Sequence, residues 1–172
     1  MKKFAPLWAC LLLSVLAGCE TQADPAPSPQ ASEPAASTET ARPTVARGLL
    51  HFSEGYQKAM AEAERENKPL LLFFTAQWCH YCHQMAGEAF TNPQVVSLSE
   101  KFVCVLIDAD SAPEVCREFH VSAFPTVQFV SPQGLALNRI EGKRPGHQVM
   151  MAMQAALQTS ALRSQPSGST MR

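Results

Sequence analysis

Two cysteines separated by two residues carry the most specific chemistry in this chain. Trp78-Cys79-His80-Tyr81-Cys82-His83 follows the apolar run Leu70-Leu71-Leu72-Phe73-Phe74 and stands where a helix would open. A thiolate at a helix N-terminus faces unpaired backbone N–H groups and the positive end of the helix dipole. Its pKa therefore falls below the free value of about 8.5. The second cysteine, one helical turn inward, can reach the first sulfur and resolve a mixed disulfide. The spacing thus predicts Cys79 as attacking nucleophile and Cys82 as resolver. Thiol–disulfide exchange of this kind needs no cofactor beyond the dithiol/disulfide pair itself, and no metal site is expected.

The same residues admit two other readings. Cys79-His80-Tyr81-Cys82-His83 fits C-x-x-C-H, the pattern of covalent haem attachment, with Met85, Met150, Met151 and Met153 as conceivable axial ligands. Against it, such a haem domain should be mainly helical, whereas Leu70–Phe74 and Phe102–Ile107 read as strands. Two cysteines with His80 or His83 could also hold Cu(I), which prefers soft thiolates. The methionines towards the C-terminus read first as core filler. For His80 two roles stand side by side. A cationic His80 beside Cys79 would favour the thiolate and make the disulfide a stronger oxidant. A solvent-facing His80 would barely touch the sulfur.

The elements that must position this motif alternate in type. Ser53 can cap a helix that carries Tyr56, Ala59, Met60 and Ala63 on one face and ends at Asn67 and Pro69. Leu70–Phe74 is bounded by punctuation and apolar throughout, as a strand buried on both faces would be. A helix from Cys79 breaks near Asn92-Pro93 and resumes through Val95, Val96 and Leu98. Phe102–Ile107 is a second buried strand, and Pro113–Phe119 a short helix. Thr126–Val130 and Leu135–Ile140 flank the turn Ser131-Pro132-Gln133-Gly134 as an antiparallel hairpin, and His147–Leu162 closes the chain as a helix. Such alternation predicts an α/β layered domain with a central mixed sheet.

The termini read differently. The chain has 172 residues, a formal net charge of −1 and 17% charged residues, so no basic surface for nucleic acid is implied. No run reaches the roughly 18 apolar residues of a spanning helix. Met1-Lys2-Lys3, an apolar stretch to Ala17 and small closing residues follow the plan of a secretory signal. Leu16-Ala17-Gly18-Cys19 resembles the bacterial lipobox, which implies cleavage after residue 18 and lipidation of Cys19. Glu20 then leans towards the outer membrane, by resemblance to enterobacterial sorting. Residues 19–47, with Pro25, Pro27, Pro29, Pro34 and Pro43, cannot bury enough apolar surface to order themselves. They are expected to form a disordered tether reaching roughly 30 Å or more from the membrane. The expected division is therefore signal 1–18, tether 19–47, folded domain 48–163 and disordered tail 164–172. It places the domain in the bacterial cell envelope, facing the periplasm.

Leu70–Phe74, Trp78-Cys79-His80-Tyr81-Cys82 and the distant Phe124-Pro125-Thr126 together resemble the thioredoxin superfamily, over residues 50–162. Lys68-Pro69, Phe90-x-x-Pro93-x-Val95 and Asp108 make the chain similar to the C-terminal periplasmic domain of DsbD-type interchange proteins and related secreted thioredoxin-like proteins. The resemblance implies a thioredoxin fold, with a cis proline at Pro125 packed against the redox pair. Trp78 and Pro125 would shape the site, and Phe124 and Thr126 would line a groove for substrate chains. His80 and Tyr81 stand where Gly-Pro is usual. The partners implied are proteins with cysteines or disulfides, together with a membrane redox partner that resets the pair. The chain departs from the family where thioredoxins carry a buried acid upstream of the motif: the residue here is Phe73. Cys104 and Cys116 read either as buried apolar-type residues or as a structural disulfide. In a thioredoxin arrangement their side chains would point to opposite faces of the sheet. His51, His120 and His147 lack ligand spacing and are expected at the surface.

Overall fold

The computed structural model describes residues 44–164. The expected signal segment, Cys19, most of the tether and residues 165–172 lie outside the described residues. In chain order the elements are β1 (Thr44–Arg47), β2 (Leu50–Glu54), α1 (Tyr56–Glu66), β3 (Leu70–Thr75), α2 (His80–Glu88), α3 (Pro93–Ser99), β4 (Val103–Asp108), α4 (Pro113–Glu118), β5 (Thr126–Val130), β6 (Ala136–Glu141) and α5 (Gly146–Ser164). The six strands form one mixed sheet in the order β1-β2-β4-β3-β5-β6. The β2–β4 and β4–β3 pairs are parallel, and the β1–β2, β3–β5 and β5–β6 pairs are antiparallel. No helix among the described residues is long and apolar enough to cross a membrane.

β3 is the central strand, and all six of its residues are buried. Its side chains alternate between two apolar layers, as the period of two requires. Leu71 and Phe73 join Phe52, Met85, Phe90, Phe129, Val149 and Met153 on the face covered by α2, α3 and α5. Leu70, Leu72 and Phe74 join Ala59, Ala63, Val105, Ile107 and Val115 on the face covered by α1 and α4. A strand sandwiched this way shows no polar alternation, which is why an unbroken apolar run was the readable signal.

Local chemistry sets the helix ends. Asn92 caps α3, its Oδ1 accepting from the amides of Gln94 at 2.9 Å and Val95 at 3.4 Å, with Pro93 entering the first turn. Asn67 ends α1 in the left-handed region at φ 51°.

Two expectations need correction. Ser53 does not cap α1: it lies in β2, where its hydroxyl donates to the Cys104 carbonyl at 3.1 Å, and Gly55 precedes the helix instead. Thr44–Arg47 do not belong to a tether, because they pair with Leu50–Ser53 as the edge of the sheet. Among the described residues the sheet therefore already includes Thr44, ahead of the expected boundary at residue 48, and α5 carries on to include Ser164. Composition hid β1 because an edge strand need bury only part of its surface, here Val45 and Arg47.

The β1–β2 turn leans directly on the helix that carries the motif. Gly48 has φ +61°, and a Cβ built there would lie 2.2 Å from the Ala86 carbonyl oxygen. The next amide, Leu49 N–H, donates to the Phe90 carbonyl at 3.0 Å. Gly48→Ala must push the hairpin off α2 and strain the backbone, at an expected cost of about 2 kcal/mol or more in unfolding free energy. Gly87, also on α2, has nothing within 4 Å of a built Cβ. Gly87→Ala should stabilise by about 0.5–1 kcal/mol through helix propensity. Urea denaturation of both variants checks the pair, and shifts in the same direction would contradict the reading.

Candidate redox site

The site is built where β3 runs out. Beyond Thr75 the chain turns, and the Cys79 amide donates to the Ala76 carbonyl at 3.1 Å. Cys79 is the N-cap of α2, with an extended backbone. Its Sγ accepts from the Cys82 amide at 3.2 Å, a contact made by the first turn of the helix itself. Cys79 and Cys82 are joined by a disulfide, with Cα atoms 5.3 Å apart. Cys79 is only 5% exposed and Cys82 2%, and both belong to the apolar layer that contains Phe73 and Met85. The same amides that cap the helix would stabilise a Cys79 thiolate once the bond is reduced.

An aromatic rim surrounds the pair. Trp78 is 68% exposed and Tyr81 61%. The Trp78 indole N–H donates to Asp110 Oδ1 at 3.3 Å, and the Asp110 amide donates to Asp108 Oδ1 at 2.8 Å. The Trp78 ring meets Phe124 edge-on, with centroids 5.9 Å apart. The Phe124–Pro125 peptide is cis, as the resemblance implied. The Pro125 carbonyl accepts from the Gly142 amide at 2.8 Å. Thr126 corrects the expectation of a groove-lining side chain. It is 2% exposed, and its hydroxyl donates to the Ala123 carbonyl at 2.8 Å, bracing the bend from inside.

His80 and His83 are both exposed on α2. A 2.9 Å hydrogen bond joins His80 Nε2 to Gln84 Nε2, and His83 Nε2 lies 3.1 Å from the Gln77 carbonyl oxygen. Lys143, from the loop after β6, donates to Gln84 Oε1 at 3.0 Å and to Glu88 Oε1 at 2.8 Å. Sequence spacing could not find Lys143 or Asp110, because only the folded sheet brings those loops to the motif. His51, His120 and His147 are exposed and apart from this cluster.

Among the described residues no three His, Cys, Asp or Glu side chains come together as a metal site. Met85 and Met153 are fully buried in the core layer. A cavity of about 600 Å³ between α1, α4 and the end of β4 is lined by Tyr56, Asp108, Glu114 and Glu118, and neither motif cysteine borders it.

Cys104 and Cys116 are free thiols. Cys104 packs against the layer of the redox pair and Cys116 belongs to the opposite layer, so the sheet separates them. Burial pushes the Cys104 thiol up to about 12. Burial also raises the Cys116 thiol, reinforced by the nearby Glu114 and Asp108 carboxylates.

With this geometry in place, kinship follows from comparison. A family model described as thioredoxin-like matches residues 52–132. Thioredoxin H5 of Arabidopsis thaliana is 30% identical over 95 residues, covering 54% of this chain and 75% of that one. The chain belongs to the thioredoxin superfamily. Spermatogenesis-associated protein 20 of Mus musculus is 40% identical over 64 residues, covering 37% of this chain but only 8% of the relative's length. Among solved structures, a thioredoxin from Thermus thermophilus superposes with a TM-score of 0.59 at 22% identity, over 69% of this chain and 96% of that one. The oxidised DsbD C-terminal domain of Neisseria meningitidis gives a TM-score of 0.50 at 25% identity, over 57% and 90%. The thioredoxin fold expected from Leu70–Phe74, the cysteine motif and Phe124-Pro125-Thr126 is therefore the fold found.

Reactivity should divide by thiolate character rather than by exposure, since Cys104 is the most exposed of the four cysteines yet its thiol is pushed up. With its thiol pushed up to about 12 by burial, Cys104 offers little thiolate at neutral pH. After reduction, iodoacetamide at pH 7 should modify Cys79 first and leave Cys104 and Cys116 unlabelled until denaturant is added. Mass-spectrometric mapping of the alkylated sites checks this, and early labelling of Cys104 would contradict it.

Proposed function

We propose that this domain is a thiol–disulfide oxidoreductase acting on protein disulfides, working chiefly as a reductant in the bacterial cell envelope. The observation that carries the reading is the Cys79–Cys82 disulfide, capping α2 beneath an exposed aromatic rim. In the reductive direction the Cys79 thiolate attacks one sulfur of a substrate disulfide. The substrate S–S bond breaks, its far sulfur leaves as a thiolate and takes up a proton, and a Cys79–substrate disulfide forms. Cys82 then loses its proton, and its sulfur attacks Cys79 Sγ. The substrate leaves as a second thiol, and the Cys79–Cys82 disulfide is restored. The substrate gains two electrons and the pair loses two, so a membrane redox partner must return two electrons for each turnover.

Support for a protein substrate comes from the rim. Trp78, Tyr81 and Phe124 offer a broad apolar contact around sulfurs that are themselves nearly enclosed, so a partner must bring its disulfide to the edge of the pair. The solved structures that share the fold include the DsbH oxidoreductase and the C-terminal domain of DsbD. The lipobox-like Leu16-Ala17-Gly18-Cys19 supports a lipid anchor at Cys19, with the domain facing the periplasm and Glu20 favouring the outer membrane.

Cys79→Ser should abolish disulfide reduction, while Cys82→Ser should accumulate mixed disulfides with client proteins, visible as reductant-sensitive bands on non-reducing gels. If the Cys82→Ser chain captures nothing, the assignment of roles is wrong. Equilibration with glutathione or dithiothreitol buffers gives the direction. A potential near the roughly −270 mV of thioredoxin fits a reductant, and one near the roughly −120 mV of the strong periplasmic oxidant overturns that direction. Cys19→Ser should move the full chain from the membrane fraction to the soluble one.

A further inference from the structure

The two histidines of the motif face partners that force opposite protonation patterns. Lys143 Nζ carries only donors, so the Gln84 atom 3.0 Å from it must be the carbonyl oxygen Oε1. That fixes the orientation of the Gln84 amide, whose nitrogen Nε2 then lies 2.9 Å from His80 Nε2. An amide nitrogen only donates, so His80 Nε2 must accept, and the ring proton must sit on Nδ1. His83 has the reverse constraint. Its Nε2 lies 3.1 Å from the Gln77 carbonyl oxygen, which only accepts, so His83 Nε2 must carry a proton.

We propose that Gln84 and Lys143 are positioning residues that hold His80 as the neutral Nδ1–H tautomer, so that it brings no positive charge to Cys79. Glu88 completes the arrangement by pairing with Lys143 at 2.8 Å, which anchors the ammonium against α2. The charged groups in contact with this chain of hydrogen bonds are Lys143 and Glu88, and the Tyr81 ring lies 6.0 Å from the His80 ring. An imidazolium at His80 would place a donor against a donor and break the Gln84 bond. His83 keeps its bond to Gln77 whether or not its other nitrogen is protonated.

The consequence for exchange rests on the reading of the site given above. With His80 neutral, a Cys79 thiolate is stabilised by the first-turn amides of α2, of which the Cys82 N–H is 3.2 Å from the sulfur. A histidine between the cysteines would otherwise favour the reduced form and make the pair more oxidising. Lys143, brought from a remote loop, removes that contribution and leaves the pair suited to reduction.

The test needs no turnover, so its failure is distinct from a failure of the oxidoreductase reading. Histidine 15N–1H correlation spectra of the oxidised protein at pH 7.5 report which ring nitrogen carries the proton. His80 should show a bare Nε2 and a protonated Nδ1, and His83 a protonated Nε2. Gln84→Glu places carboxylate oxygens against both Lys143 and His80, so the His80 proton should move to Nε2 while His83 stays unchanged. Lys143→Met frees the Gln84 amide to turn, and His80 should then show the averaged signals of both tautomers. A wild-type His80 protonated at Nε2 would overturn the proposal. So would a His80 spectrum identical in wild type and Gln84→Glu. An unchanged spectrum in Lys143→Met would remove Lys143 from the device. His80 is exposed and Gln84 and Lys143 are half-buried, and amide spectra of each variant report whether the fold is intact.

Discussion

Everything reactive in this molecule depends on one placement, a cysteine sulfur set at the end of a strand buried on both faces. β3 runs through the middle of the sheet with no exposed residue, so the chain that leaves it emerges at a fixed point. The first turn of α2 then begins with the sulfur of Cys79 in the capping position normally taken by a hydroxyl or carboxylate oxygen. Capping and activation are therefore one interaction. The Cys82 amide, which also donates to the Cys79 carbonyl at 3.1 Å, is the amide that would stabilise a thiolate. Moving Cys79 by one residue would forfeit both, which is why the motif tolerates little slack between strand and helix.

The layers on either side keep that point in place for different reasons. Phe73, Phe52 and Phe90 pack at tilted and edge-on angles in the layer of the pair, with ring centroids 4.9–5.8 Å apart, making an apolar floor. Each such ring contributes about 1.5–3 kcal/mol when fully buried. The β1–β2 turn meets α2 through Gly48 and Leu49, so the start of the folded domain bears on the helix that holds Cys82. On the exposed side, the Asp108–Asp110 loop holds Trp78 by its indole, and the cis bend at Pro125 sets Phe124 against the same ring. Three chain segments distant in sequence thus meet around one disulfide.

Much of this was legible in the sequence, for identifiable reasons. β3 and β4 declared themselves because strands buried on both faces are largely apolar, β5 because it runs into the turn Ser131-Pro132-Gln133-Gly134, and α3 because Asn92-Pro93 is both a cap and a first-turn signal. The cysteine motif was legible because its chemistry depends on local spacing. β1 and β2 were not. Leu50-His51-Phe52-Ser53 alternates over too few residues to stand out, and Ser53 imitates a helix cap while serving the strand. Thr126 was misread because adjacency to Pro125 suggests a groove, whereas its hydroxyl closes the bend internally. Gln84 and Lys143 left no signal at all, since hydrogen bonds between a helix and a remote loop have no spacing to detect.

The least conventional feature is that, among the described residues, no acid or base that titrates near neutral pH is buried. Among the described residues the buried polar side chains are Thr75, Thr126, Gln128, Ser131 and Ser160, none of which accepts a proton near neutral pH. Phe73 stands where an acid would be placed to do so. In the exchange proposed above, the Cys82 proton must then pass to water, a histidine or the departing substrate thiolate. A departing thiolate that takes the proton is also the group whose expulsion completes the step. Where the substrate takes the proton, resolution would be coupled to the client sulfur, whose basicity helps it accept the proton but slows its departure. The apolar floor that fixes the geometry of the pair is the same feature that leaves this proton without a buried acceptor.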